Sequence, residues 1–264
     1  MERTSILEIR DLYTYIKTDG ERKPIVKGVN IELKPGEIHG IVGESGSGKT
    51  FTAKSILRLH DETQVDYEGS VIYEDVNLLE LTEREMYIYR EKEISYVFQN
   101  PMNSFDSLFT IGSQIEETLR YTAGLDKKEA KKKTLELLES VGVTPAKEKA
   151  DKYPHEFSGG MLQRSMIALA LACNPKVVIA DEATTALDVT MQAKILKLFK
   201  HIRDENNISI LCITHDLGVV AEICDTVTVM YHGEVVEIGS VRDIFDRPQH
   251  EYTKRLLQSF KEVS

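Results

Sequence analysis

The run Gly43-Glu44-Ser45-Gly46-Ser47-Gly48-Lys49-Thr50 joins residue types that together bind phosphate. A glycine, four residues, then Gly-Lys-Thr is the spacing of a phosphate loop. Its glycines let the backbone turn tightly and aim successive N–H groups at an anion. The start of a following helix adds partial positive charge. Lys49 then reaches the β- and γ-phosphates, and the Thr50 hydroxyl ligates Mg2+.

Three further positions carry chemistry at strand ends. Val177-Val178-Ile179-Ala180-Asp181-Glu182 is an apolar run that closes on two carboxylates. In a parallel sheet that end is where ligands bind. Asp181 is placed to hold Mg2+, and Glu182, one residue on, to orient a water for attack on a γ-phosphate. Ile213-Thr214-His215-Asp216 sets a histidine at a second strand end, in reach of the same phosphate. Val97-Phe98-Gln99-Asn100-Pro101 sets Gln99 at a third, where its amide meets Mg2+ or the attacking water. Ser158-Gly159-Gly160-Met161-Leu162-Gln163-Arg164 precedes the helix expected over Ser165–Cys173. Taken alone it is a capped helix start. Such a start is also an anion site, so it can hold another subunit's γ-phosphate.

The elements that must position these groups follow from hydropathy. His39-Gly40-Ile41-Val42 before the loop reads as a buried strand. Phe51–Leu57 after it reads as a helix with Ala53, Ile56 and Leu57 inward. Leu7 to Val42 alternates strand-like runs with turns at Thr18-Asp19-Gly20 and Lys34-Pro35-Gly36-Glu37. Asp66–Tyr73 is another strand with a turn. From about Thr82 to Pro154 the chain is charged and helix-periodic, the character of an inserted helical lobe. Buried strands return at Lys176–Ala180 and Ile208–Ile213, with an amphipathic helix over Met191–Asn206 between them. A hairpin about His232-Gly233 follows. Strands alternating with helices predict an α/β core with a parallel sheet.

The bulk composition narrows the class. The 264 residues suffice for one large domain or two small ones. A net charge of −10 argues against nucleic acid as a partner. The one basic cluster, Lys127 to Lys133, lies beside Ala130, Thr134, Leu137, Leu138 and Val141 at helical spacing, so its lysines form a solvated face. Cys173, Cys212 and Cys224 form no CxxC pair and suit small core positions in a reducing compartment. Residues Met1–Ile6 show no apolar signal segment, and the run Met166–Cys173 is too short to span a bilayer. Any membrane role is then expected through a partner.

These five elements, in this order, resemble the ATP-binding-cassette ATPases over nearly the whole chain. The resemblance implies a P-loop NTPase fold in a single α/β domain, 1–264. A β-rich N-terminal subdomain and a RecA-like parallel-sheet core would surround a helical subdomain at about 82–172. A tail of peptide/nickel-importer type would occupy 240–264. It implies two cassettes facing head to tail, each ATP lying between the phosphate loop of one and Ser158-Gly159-Gly160 of the other. Gln99 would couple the site to a membrane partner, and His215 would be the switch histidine. Ala186-Leu187-Asp188 would reach across the dimer. The implied cofactors are ATP and Mg2+, the latter on Thr50, Gln99 and Asp181. The implied partners are two transmembrane permease subunits, a second related ATPase and an extracytoplasmic binding protein. The implied location is the cytoplasmic face of the cell membrane.

Two departures from the family pattern stand out. Asp181-Glu182-Ala183-Thr184 has alanine where the family usually has proline, which should loosen the turn without removing chemistry. The family stacks an aromatic residue on adenine; here that place resembles Ile16, with Tyr15 and Tyr13 as neighbours. Tyr15 would serve only with a one-residue shift, which turns its side chain to the other face. The adenine contact stays open. Tyr153 to Met161 and the tail Arg247 to Leu257 are similar to importer ATPases for peptides, nickel and metal chelates, although Glu251 replaces a usual proline. The short tail, with no cysteine after Cys224, and Met161-Leu162-Gln163-Arg164 are more similar to the nickel branch. A soluble cassette protein without transport, and a small-molecule kinase, are the rival classes.

Overall fold

The structure is a computed structural model that describes residues 5–18, 20–185 and 187–263. In chain order the elements begin with β1 (Leu7–Thr18), β2 (Glu21–Leu33), β3 (Ile38–Val42), α1 (Lys49–Ile56), β4 (Val65–Tyr73) and β5 (Val76–Asn77). The middle holds α2 (Glu83–Ile88), β6 (Ile94–Val97), α3 (Ile111–Thr122), α4 (Lys127–Ser140), α5 (Ala146–Ala150), α6 (Gly159–Ala172), β7 (Val177–Asp181) and α7 (Val189–Asn206). The chain closes with β8 (Ser209–Ile213), α8 (Leu217–Ile223), β9 (Thr226–Tyr231), β10 (Glu234–Ser240), α9 (Val241–Asp246) and α10 (Glu251–Val263). It divides into two compact units, one built from residues up to Met86 and from Ser209 on, the other from Tyr87–Ile208.

The first unit has an antiparallel sheet in the order β2-β1-β4-β5. Leu7, Ile9 and Leu12 of β1 are buried with Val26, Val29, Ile31 and Leu33 of β2. That alternation is what a sheet with one covered face requires. A bulge at Asp11, with φ 45°, shifts the register of β1 against β4 between Arg10 and Tyr13. A second run of strands has the order β10-β9-β3-β8. In it β3 lies parallel to both β8 and β9, which buries it on every side. Val42, Val227 and Val229 then pack with Leu217 and Val220 of α8, Ile244 of α9, and Tyr252 and Leu257 of α10.

The second unit pairs β6 with β7 in parallel, Val97 opposite Ala180. Helices α3 to α6 lie in the stretch 82–172 expected to be helical, but so does β6. It is the strand expected to end just before Gln99, a short apolar run Ile94-Ser95-Tyr96-Val97 entered from a charged approach, Arg90 to Glu93. Asp126 caps α4 by accepting from the Lys128 and Glu129 amides at 2.8 Å each. Ala130, Thr134 and Leu138 face inward, which leaves the lysines in solvent as expected.

Within β3, His39 is 2% exposed. Thr226 donates its hydroxyl proton to the Glu37 carboxylate, so it accepts from His39 Nδ1 at 2.7 Å. His39 Nε2 then accepts from the Thr228 hydroxyl at 2.8 Å. Burial holds the imidazole pKa down at about 4, and the ring is neutral. In the unfolded chain its pKa is about 6.5. Between those values the unfolded state binds more protons, so stability rises with pH there. This contribution, about 3 kcal/mol at most, is complete above pH 6.5 and is lost as pH falls to 4. Denaturant titrations of wild type and His39→Gln from pH 7 to pH 4 should show a flatter profile for the variant, by about one proton. Parallel profiles would mean that His39 is not held neutral.

Candidate functional site

In the first unit β3 delivers the loop Gly43–Thr50 from a fully buried strand end. Gly43 admits no side chain there. A Cβ on it would lie 2.2 Å from the Met230 carbonyl oxygen and 2.8 Å from Ser47 Oγ. Gly46 and Gly48 have φ of 81° and 101°, in the left-handed region that favours glycine. Gly48 is the N-cap of α1, so the helix starts at Lys49, two residues earlier than the hydropathy suggests. Lys49 is buried, and its ammonium donates to the Gly43 and Glu44 carbonyls at 2.8 and 2.9 Å. The Ser47 amide donates to the Glu44 carbonyl at 3.1 Å, and the Gly233 amide donates to the Ser47 carbonyl at 2.9 Å. The backbone thus closes around Glu44-Ser45-Gly46-Ser47 as an anion cradle, with Thr50 in the first turn of α1.

His215 lies in this same unit, exposed, just past β8. Since β3 and β8 are parallel with Ile41 opposite Ile213, His215 leaves at the end where the loop leaves. The Thr214 amide donates to the Ile41 carbonyl at 3.1 Å. Asp216 caps α8 by accepting from the Gly218 amide at 2.8 Å. The histidine is therefore presented between two fixed points.

The second unit gathers the other polar groups. Asp181 ends β7 at 1% exposure, and Tyr96 on the adjacent β6 donates its hydroxyl to Asp181 Oδ2 at 2.8 Å. Burial and the carboxylate's charge raise the Tyr96 pKa far above its usual value, so it stays a donor. Tyr96 is a residue that sequence reasoning missed; a tyrosine in a short apolar run gives no signal of a partner. Glu182 has φ 49°, uncommon for a residue of its size. Gln99 donates to Glu182 Oε2 at 2.7 Å, and Thr185 reaches the same oxygen at 3.4 Å. Gln99 and Glu182 are thus brought into direct contact.

The turn after Glu182 is not loosened by alanine. Ala183 is buried, and Gln163 of α6 donates to its carbonyl at 2.8 Å, which fixes the peptide from outside. Ser158 caps α6 by accepting from the Met161 amide at 3.4 Å. Gly159 faces open space, while a Cβ on Gly160 would meet Leu187 Cδ2 at 3.3 Å. Asp188 caps α7 by accepting from the Met191 amide at 3.0 Å. Ala186, the first residue of the expected cross-dimer loop, lies outside the described residues, as does Asp19 of the expected early turn.

On the early strand, Thr14 is buried and its hydroxyl meets Ser55 of α1 at 2.8 Å. Ile16 shares that side of β1 by alternation. Tyr13 and Tyr15 turn the other way and stack at 6.1 Å between centroids. The Arg22 guanidinium sits 4.1 Å over the Tyr15 ring, and the Tyr15 hydroxyl donates to Glu68 at 3.0 Å. Tyr15 is thus engaged away from the loop helix.

No cluster of three or more His, Cys, Asp or Glu side chains able to hold a metal occurs among the described residues.

Comparison with known proteins agrees with this geometry. A family model described as "ABC transporter" matches residues 26–185. A probable peptide ABC transporter ATP-binding protein of Sinorhizobium fredii is 48% identical over 96% of this chain and 76% of its own length. The oligopeptide transport ATP-binding protein OppD of Bacillus subtilis is 48% identical over 97% of this chain and 72% of its own. Among solved structures, a dimeric bacterial ABC transporter cassette superposes with a TM-score of 0.81 at 29% identity, covering 89% of this chain and 99% of that one. A cassette of the cbiONQ complex from Clostridium perfringens gives 0.77 at 26% identity, covering 99% and 98%.

Gly43→Ala should destroy the loop. The clash with the Met230 carbonyl forces strain of about 1–3 kcal/mol, or roughly fivefold to 150-fold in nucleotide affinity. Titration of the variant with a fluorescent ATP analogue checks this; wild-type affinity would show that the approach at Gly43 can relax.

Proposed function

We propose a function for this chain from one premise: it belongs to the ABC transporter family. It is an ATPase that energises a membrane importer. The observation that carries the reading is the pairing of Glu182 with Gln99 at a strained turn directly after Asp181. A kinase has no need of that pair together with a glycine-opened, capped α6.

The chemistry follows from the residues. Amides of the Gly43–Thr50 loop other than that of Glu44, with the N-terminus of α1, bind the phosphates. Lys49 shares its three N–H protons between the loop carbonyls and incoming phosphate oxygens. Thr50, Asp181 and Gln99 would hold Mg2+, which offsets phosphate charge when bound. Tyr96 fixes the Asp181 carboxylate for that task. Glu182 orients the attacking water and draws on its proton once the Gln99 amide yields its oxygen. His215 and Lys49 steady the charge on the transferring phosphoryl group. Ser158, Gly159 and Gly160 receive the γ-phosphate bound by a second, related cassette, and Asp188 belongs to the loop that meets it.

Among the described residues no helix is long and apolar enough to cross a membrane. In this reading the chain attaches to the membrane through two permease subunits, at the cytoplasmic face. Met102, Leu108 and Phe109 are 50%, 77% and 56% exposed shortly after Gln99, and such apolar exposure suits a protein partner. An extracytoplasmic binding protein delivers the cargo. Both relatives described above are named for peptides or oligopeptides. Peptide is accordingly the cargo class of this proposal, in place of the nickel expected from the tail.

Glu182→Gln in the assembled complex should still bind ATP but hydrolyse it about 100-fold or more slowly. Uptake of a labelled oligopeptide should stop with it, and nickel uptake should persist. Normal turnover would sink the catalytic assignment. Loss of nickel uptake alone would overturn the cargo.

A further inference from the structure

The tail from Arg247 onward takes no part in the chemistry above, yet it touches the phosphate loop. Tyr252, in the first turn of α10, is 3% exposed. Its hydroxyl oxygen accepts the Glu44 backbone N–H at 2.9 Å. That amide therefore points at the tail and not into the cradle. The other side of the same residue, the Glu44 carbonyl, is held by Lys49 at 2.9 Å. Lys49 must divide its protons anew when phosphate arrives, whereas the Tyr252 contact need not change.

Four further contacts fix Tyr252 and the chain that leads into it. Glu237 on β10 accepts from the Gln249 and His250 amides at 2.7 and 3.0 Å, anchoring the chain just before α10. The Tyr252 amide donates to His250 Nδ1 at 3.1 Å. The Tyr252 ring packs on Tyr231 with centroids 4.2 Å apart, one residue past the Met230 carbonyl that abuts Gly43. Farther along α10, Phe260 is the side chain nearest Gly218 after Asp216, in the helix that follows His215. One helix thus meets both the phosphate loop and the start of α8.

We propose that Tyr252 is a positioning residue for nucleotide binding, through which α10 holds the phosphate loop in its binding shape. The inference rests on the reading of Gly43–Thr50 as the nucleotide loop. The hydroxyl acts on the loop before ATP arrives, so its loss lowers affinity and leaves the chemical step alone. The C-terminal helix is then part of the nucleotide site, and a partner that displaced it would weaken ATP binding without touching a catalytic group.

The test is Tyr252→Phe in the full-length chain, which keeps the ring on Tyr231 and removes only the acceptor. Hydrogen exchange of the nucleotide-free protein should show the Glu44 amide exchanging about threefold to tenfold faster. The KM for ATP should rise by about threefold to tenfold, with kcat within about twofold and an unchanged melting temperature. Unchanged exchange at Glu44 overturns the proposal, and so does faster exchange with an unchanged KM. A fall in kcat and melting temperature with KM unchanged overturns it too, since that marks general loosening. If the wild type binds no nucleotide, the functional reading fails instead, while the exchange result still decides whether the tail holds the loop.

Discussion

Everything at the phosphate loop depends on how closely Gly43 approaches β9. The Met230 carbonyl lies where a side chain would begin, so the loop can leave β3 only along one path. That path exists because β3 is held between β8 and β9, both parallel to it. Parallel pairing sends Thr214-His215 out at the same end as the loop. A single backbone contact thus sets where the loop turns and which histidine leaves the sheet at the same end. The buried Glu37-Thr226-His39-Thr228 chain ties the opposite half of β3 to β9, so the strand is pinned along its length.

The second unit solves a similar problem with side chains. Two carboxylates follow one another at the end of β7 and need different surroundings. Asp181 is buried against a tyrosine donor, which keeps it fixed. Glu182 turns away in a left-handed conformation and meets the amide of Gln99. Gln163 holds the next carbonyl, a task that the ring of a proline would otherwise perform by limiting φ.

Much of this was legible in the residue order. The glycine spacing of 43–48, the carboxylates at 181–182, and Gln99 and His215 at strand ends each announce themselves, because the loop must turn and apolar strands must end in polar groups. Ser158 was legible as a helix start, since a short polar side chain there satisfies orphan amides; Asp188 as the cap of α7 was not. The partners were not legible. Tyr252 and Glu44 stand 208 residues apart, and Tyr96 and Asp181 stand 85 apart. Nothing in local hydropathy pairs a hydroxyl with a distant amide or carboxylate. The extent of β6, though not its end before Gln99, was hidden for another reason: four residues entered from a charged stretch are too few for a period to show. The course of β1 past Tyr13 and Tyr15 turned on a bulge at Asp11, a backbone event that a composition of aromatic and β-branched residues does not reveal.

The conformation of Glu182 has a meaning beyond its contacts. A left-handed backbone costs a residue with a Cβ about 1 kcal/mol that glycine does not incur. At this turn, glycine would make a more stable protein and asparagine a more comfortable one. Selection on folding alone would therefore drive position 182 away from glutamate. Under the proposed function, the carboxylate there marks a place where the molecule gives up stability to keep a reactive group, and where an inactive but sturdier cassette lies one substitution away.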